Sequence, residues 1–128
     1  MSRGTLLVAF FGLLLSSCYP APDTFGKLDA KAWRSDRRGC NNVRAKLVDD
    51  LRAEVENLKG KAANDIGGIL GGPDINQIAD RNQKYYVYYL QPGPQCNDTK
   101  AQPSAPTVAL RLSAMGVVTE ITFQNGLP

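Results

Sequence analysis

The side chains with reactive potential are the thiols of Cys18, Cys40 and Cys96 and two acidic pairs, Asp49-Asp50 and Glu54/Glu56. Histidine is absent, which removes the commonest general base, the usual Ser/His and Cys/His nucleophile pairs and most zinc sites. No catalytic residue, metal site or cofactor is therefore expected. The acidic pairs fall on what reads as an amphipathic helix, where carboxylates on the solvent faces are normally solvated charges. Gly67-Gly68 and Gly71-Gly72 lack the Lys-Ser/Thr ending of a phosphate loop and the Rossmann spacing after a strand, so a helix end and turn accounts for them better. Fifteen basic residues against twelve acidic ones give a net charge of +3, too weak a field to imply nucleic acid.

The thiols differ in setting. Arg3 is a positive start, Leu6 to Leu15 is an uncharged apolar run, and Ser16-Ser17 are small residues directly before Cys18. The run is too short to span a bilayer as a stable helix. Leu15-Ser16-Ser17-Cys18 resembles the lipobox of bacterial lipoproteins. That resemblance implies a diacylglycerol thioether on Cys18, cleavage before it and acylation of the new amino group. Each buried methylene contributes about 0.8 kcal/mol, so acyl chains on one residue can anchor a protein without a transmembrane helix. Tyr19 stands where an aspartate would signal inner-membrane retention, which points to the outer membrane. The alternative is an ordinary secretory signal cleaved near Ser17 or Ala21.

Assigning Cys18 to lipid leaves Cys40 and Cys96 as an even pair in an oxidising compartment, and a disulfide is expected between them. It would close a loop of about 57 residues, for which the chain-entropy model gives on the order of 4 kcal/mol. Two free thiols are the alternative, though no Cys-x-x-Cys pair is present.

The elements follow from punctuation and period. Residues 1–17 are the expected signal peptide, 18–28 a lipidated tether rich in Pro and Gly, and 29–128 one domain. A short helix is expected over Asp29 to Arg37, with Asp29 as N-cap and Trp33 as its apolar anchor. A longer helix carries Val43, Leu47, Leu51, Val55 and Leu58 on one stripe, with Glu54 among the solvent-facing positions, and ends at Gly60. Asn64 or Asp65 caps a third helix that stops at Gly71-Gly72-Pro73. Ile75 to Gln83 reads as a loop with a short helical turn. Tyr85 to Leu90 is a strand. Val108, Leu110 and Leu112 are expected to pair with Ile121, Thr119 and Val117 across a hairpin at Ser113 to Gly116. The fold class is therefore α+β, with two to three N-terminal helices packed on a three-stranded antiparallel sheet.

Alternation along Tyr85 to Leu90 puts Tyr86, Tyr88 and Leu90 toward the helices and leaves Tyr85 and Tyr89 outside as candidate partner-binding residues. The alternative is that the Pro-rich loop carrying Cys96 covers that second face. The order helix, helix, Leu70-Gly71-Gly72-Pro73-Asp74, aromatic strand, then a hairpin ending in Gly116-Val117-Val118-Thr119-Glu120-Ile121 resembles the SmpA/OmlA family of small BamE-like lipoproteins, over roughly residues 58–123. Trp33, Asp36, Cys40 and Arg44 lie outside it. The resemblance implies a β-lactamase-inhibitor-protein-like fold and a non-enzymatic module that binds an envelope protein. An inhibitor of a secreted or host enzyme acting through the Gln91 to Pro106 loop, or a small envelope enzyme or ligand carrier using Asp49, Asp50 or Glu54, are the alternatives. The lipid assignment is checked by the intact mass of the membrane-extracted protein. A chain beginning at Cys18 and carrying acyl mass is expected; an unmodified chain beginning elsewhere contradicts it.

Overall fold

Six consecutive aromatic and aliphatic residues cannot be solvated on both sides, and they form the strand around which the other elements arrange. The computed structural model describes residues 20–128 together with Gly4 and Gly12, so Cys18 and the apolar run before it lie outside the described residues. The helices are α1 (Ala30–Ser35), α2 (Val43–Ala53), α3 (Val55–Leu58) and α4 (Ala63–Leu70), and the strands are β1 (Ile75–Ala79), β2 (Gln83–Tyr89), β3 (Pro106–Leu112) and β4 (Val118–Asn125). The strands form one antiparallel meander in the order β1-β2-β3-β4. The class is α+β, with a four-stranded sheet where three strands are expected from sequence.

The extra strand is β1. Its sequence, Ile-Asn-Gln-Ile-Ala, is polar because it is an edge strand whose residues alternate between half-buried and exposed. Pairing with β2, rather than its own apolar pattern, fixes it as a strand. The turn joining the two uses Arg81 and Asn82 at φ 62° and 58°, so no Asn-Gly signal marks the hairpin.

On the helix side of the sheet, Tyr88, Leu90, Val108, Leu110, Leu112 and Val118 join Leu28, Trp33, Leu51, Leu58, Ile66, Ile69 and Leu70 in one core, with Tyr86, Ile121 and Phe123 packed at its margin. The inward set expected for Tyr86, Tyr88 and Leu90 is observed. The β3–β4 register is not the expected one. Leu110 lies opposite Ile121 and Val108 opposite Phe123, with an irregularity between Arg111 and Leu112. The extra residue, Thr119, shifts the inside-outside phase at the start of β4, so that Val118 rather than Val117 is buried while Ile121 keeps its expected inward side.

Two further differences centre on Glu54. The expected single helix from Val43 to Leu58 is broken at this residue, which has φ −103° and ψ 4° and separates α2 from α3. Glu54 is 6% exposed, not solvent-facing. Its carboxylate accepts hydrogen bonds from the Lys27 N–H at 2.9 Å and the Asn57 side-chain amide at 2.8 Å. Gly26, at φ +55°, lies against the same carboxylate, where any Cβ would collide with it. The expected tether is thus packed onto the domain in its second half: Leu28 is fully buried, and the Pro22 carbonyl accepts from Arg34 at 2.7 Å.

These hydrogen bonds, that of Asn57 first and Lys27 second, hold the Glu54 carboxyl below its ordinary value of 4.5. The folded state then binds fewer protons than the unfolded state in the range just below 4.5, so the contribution is complete above that range and lost as pH falls through the lower folded value. Glu54→Gln should flatten the acid side of the stability profile there while leaving its shape near neutrality. Urea midpoints at stepped pH read this out, and identical acid slopes in the two proteins contradict it.

Candidate functional site

The most heavily engineered region by bonding is where α1, α2 and the end of β2 meet. Beyond α1 the chain turns through Asp36, which is fully buried. Its carboxylate accepts the N–H groups of Asn41 at 2.7 Å, Val43 at 2.8 Å and Arg44 at 2.9 Å. Asp36 therefore satisfies the open donors at the start of α2, where a negative charge also faces the favourable end of the helix dipole. Asn42, the residue at the cap position, makes no side-chain cap bond.

Arg44 then points inward on the same face of α2 as Leu51. It is 2% exposed. Its Nε donates to the Trp33 carbonyl at 3.1 Å, and its Nη1 donates to Asp74 Oδ2 at 2.7 Å and to the Tyr89 carbonyl at 3.1 Å. The guanidinium carbon lies 4.8 Å from the centre of the Trp33 ring and 5.7 Å from that of Tyr88. Asp74 completes the set: Oδ2 also accepts the Tyr89 N–H at 2.8 Å, and Oδ1 accepts the Arg38 N–H at 3.1 Å. Burying an ion pair costs several kcal/mol per charge unless further hydrogen bonds satisfy both partners. Here the side chains of Arg44 and Asp74 each make three hydrogen bonds within the protein, one of them shared.

A pocket of about 410 Å³ opens beside this pair, lined by Arg37, Arg38, Cys40, Pro73, Asp74 and Cys96. Its walls are braced. Cys40 and Cys96 form a disulfide with a Cα–Cα distance of 5.7 Å, joining the Arg37–Gly39 turn to the Pro94–Cys96 turn. The buried Gln95 side chain donates to the Arg38 carbonyl at 3.1 Å and the Gln91 carbonyl at 3.0 Å. Arg38 is held at φ 62° with its N–H on Asp74. Gly39, at φ +68°, packs so close to β2's end that a Cβ would sit 2.8 Å from the Gln91 nitrogen. The side chains of Arg37 and Arg38 are exposed. Two guanidinium groups on a fixed backbone turn suit bidentate recognition of carboxylate or phosphate oxygens.

The residues expected from sequence to bind a partner fare unequally. Tyr89 does not lie on an open face; it is 3% exposed, and its N–H and carbonyl are both taken by Asp74 and Arg44. Burial first, and the Asp74 charge second, push its hydroxyl above the ordinary tyrosine value. On the same face Val87, Thr107 and Ala109 are buried too. The physical reason is that the segment after β2 is tied back to this end of the sheet by the disulfide, by Gln95 and by Gly126, whose N–H donates to the Ala105 carbonyl at 3.0 Å. Tyr85, nearer the other end, is half-buried, with its hydroxyl on Gln83 Oε1 at 3.1 Å. Tyr85 does not reach the pocket. Asp49, Asp50 and Glu54 do not line it either.

Sequence reasoning missed the joint role of Asp36, Arg44 and Asp74. One signal was available: Arg44 is in phase with Leu51 and Leu58, seven and fourteen residues on, so it had to face the core and needed an anion there. Among the described residues no group of three metal-ligating side chains is found and no helix is long and apolar enough to cross a membrane. Compared with known protein families, curated proteins and solved structures, the chain has no match.

Asp74→Asn leaves the Arg44 charge buried and uncompensated and should cost about 3–5 kcal/mol of stability. Adding Arg44→Met to that variant should recover part of the loss, because the orphaned charge is gone, whereas Arg38→Ala should change stability by less than about 0.5 kcal/mol. Denaturant unfolding of the four proteins checks the order; an Asp74→Asn variant within about 1 kcal/mol of the parent contradicts the assignment.

Proposed function

We propose that this protein is a lipid-anchored, non-enzymatic interaction module of the bacterial envelope, held at the outer membrane through Cys18, whose partner-binding surface is the arginine pocket beside the disulfide. The observation that carries this reading is the division of labour among the charges. Asp36, Arg44 and Asp74 are consumed inside the fold, where they hold a turn rigid, and Arg37 and Arg38 on that turn face solvent at the pocket mouth.

Rigid backbone and unspent charge are what a recognition surface needs. Side chains presented on a fixed turn lose less freedom on binding, which raises affinity for a given contact area. The partner implied is an envelope protein offering an acidic segment, whose carboxylates would meet the guanidinium groups of Arg37 and Arg38. Kinship with the SmpA/OmlA family, as a divergent relative with its own partner, belongs to this reading through the Leu70-Gly71-Gly72-Pro73-Asp74 turn and the Gly116 to Ile121 hairpin sequence. Tyr85, half-exposed on the helix-free side, would lie outside this contact.

A photoreactive residue at Arg37 of the membrane-bound full chain tests the reading, with a second at Tyr85. A discrete adduct from position 37 is expected, suppressed at least several-fold by Arg38→Glu and by competition with an acidic peptide. No adduct at position 37, or one indifferent to Arg38→Glu and to the peptide, contradicts it, and an adduct from Tyr85 alone moves the interface to the helix-free face.

A further inference from the structure

We infer that the end of the sheet opposite the arginine pocket lies against an anionic lipid surface, with Ile78 and Met115 entering the interface and Lys61, Arg81 and Lys84 meeting the headgroups. This rests on the reading of Cys18 as the lipid-bearing residue.

The register puts two hairpin tips at one end. Lys84 lies between Ile78 on β1 and Leu112 on β3, so the Asp80–Asn82 turn and the Ser113–Gly116 turn project from the same edge. The arginine pocket sits at the Leu90 end of β2, about 20 Å away at 3.3 Å per residue. Ile78 is 70% exposed and Met115 88% exposed, the two most exposed large apolar residues among those described. A single exposed apolar side chain means little. Two at the tips of adjacent hairpins on one end, set among cations, form the pattern of a surface that sits at a bilayer boundary.

The cations are Arg81 in the first turn, Lys84 at the start of β2 and Lys61 at the edge of β4, the first two exposed and the third half-buried. The carboxylates near this end are Asp80 in the first turn, Asp65 in the first turn of α4, Glu120 on β4, paired with Arg111 at 3.7 Å, and Glu56, paired with Lys59 at 3.0 Å. Lys61 belongs to a stretch joined to the second hairpin: Ala62 bridges Val117, and the Ala63 N–H donates to the Gly116 carbonyl at 2.9 Å. Lys61 Nζ also lies 5.5 Å from the centre of the Phe25 ring.

That contact joins the N-terminal segment to the same flank of the molecule. Pro20, Ala21, Pro22 and Phe25 line a cleft that runs along α4, from Lys61, Asn64 and Asp65 to Gly68 and Ile69. Cys18 precedes Pro20 by two residues, a reach of about 7 Å at full extension. A lipid attached there holds the α4 flank close to the membrane, and the Lys61 end of that flank continues into the second hairpin. Anionic headgroups attract the basic residues over about a Debye length. The pocket is then presented away from the bilayer.

Tryptophan quenching by brominated phosphatidylglycerol tests the orientation without adding a thiol, since Trp33 is fully buried. The membrane-extracted full chain carrying Met115→Trp, or Lys100→Trp as the far-end control, is reconstituted in vesicles containing that lipid, and the mass of each sample is measured. Emission from position 115 should fall by about half while position 100 stays unquenched, and the loss should weaken when zwitterionic brominated lipid replaces the anionic one. An acylated chain with position 115 unquenched, or with both positions quenched alike, overturns the inference and leaves the anchor standing. A chain without acyl mass that is still quenched at position 115 overturns the anchor and leaves the surface standing. Absence of both acyl mass and quenching overturns the two together.

Discussion

Everything in the arrangement of helices on sheet depends on one buried cation. Arg44 sits between the rings of Trp33 and Tyr88 and donates to the Trp33 carbonyl, to Asp74 and to the Tyr89 carbonyl. Through these contacts one side chain on α2 is bonded to α1, to the turn after α4 and to β2. An unpaired guanidinium in that position would be prohibitive. The charge therefore dictates its surroundings: Asp74 must follow α4 closely enough to reach it, and Asp36 must turn the chain so that α2 starts with Arg44 facing inward. The Tyr88 hydroxyl, pushed well above its ordinary value by burial, keeps its proton and donates to the Gly71 carbonyl at 2.7 Å, fixing the same turn from the other side.

The disulfide acts on a different segment of the same region. Cys40 and Cys96 join the turn before α2 to the turn after β2, so the covalent link and the ion pair close around one small volume. The core of a domain this size leaves a narrow net stability, and concentrating a cross-link and a buried ionic network in one place makes that place the stiffest. Stiffness there is what gives the exposed Arg37 and Arg38 a defined presentation. The hairpin tips at the opposite end carry neither a disulfide nor a buried ion pair and display the exposed Ile78 and Met115. The two ends of the sheet thus differ in chemistry.

Much of the fold was readable from residue order. Asp29 caps α1, with its side chain accepting the Ala32 N–H at 3.0 Å. The inward face of β2 and the Cys40–Cys96 pairing also match expectation, because capping chemistry, strand alternation and cysteine parity are local or combinatorial signals. The failures were non-local. β1 is a strand only because β2 offers it an edge. The register of β4 turns on one irregularity near Leu112 that no alternation pattern can place. Tyr89 is buried because segments distant in sequence close that end of the sheet, and the break at Glu54 owes its stability to Lys27 and Asn57. The arginine pocket was illegible for the same reason, since its lining comes from three separate stretches that only the folded topology brings together.

Amide hydrogen exchange of the intact, oxidised protein tests most directly whether the Arg44 network belongs to the global core. The N–H groups of Val43 and Arg44, which donate to Asp36, and that of Tyr89, which donates to Asp74, should exchange only through global unfolding. Their opening free energies should then match those of Leu110 and Val108 in the centre of the sheet to within about 1 kcal/mol. Exchange of the Tyr89 or Arg44 amide through local opening, several kcal/mol below the sheet centre, would show that the network is a peripheral clasp and contradict the account.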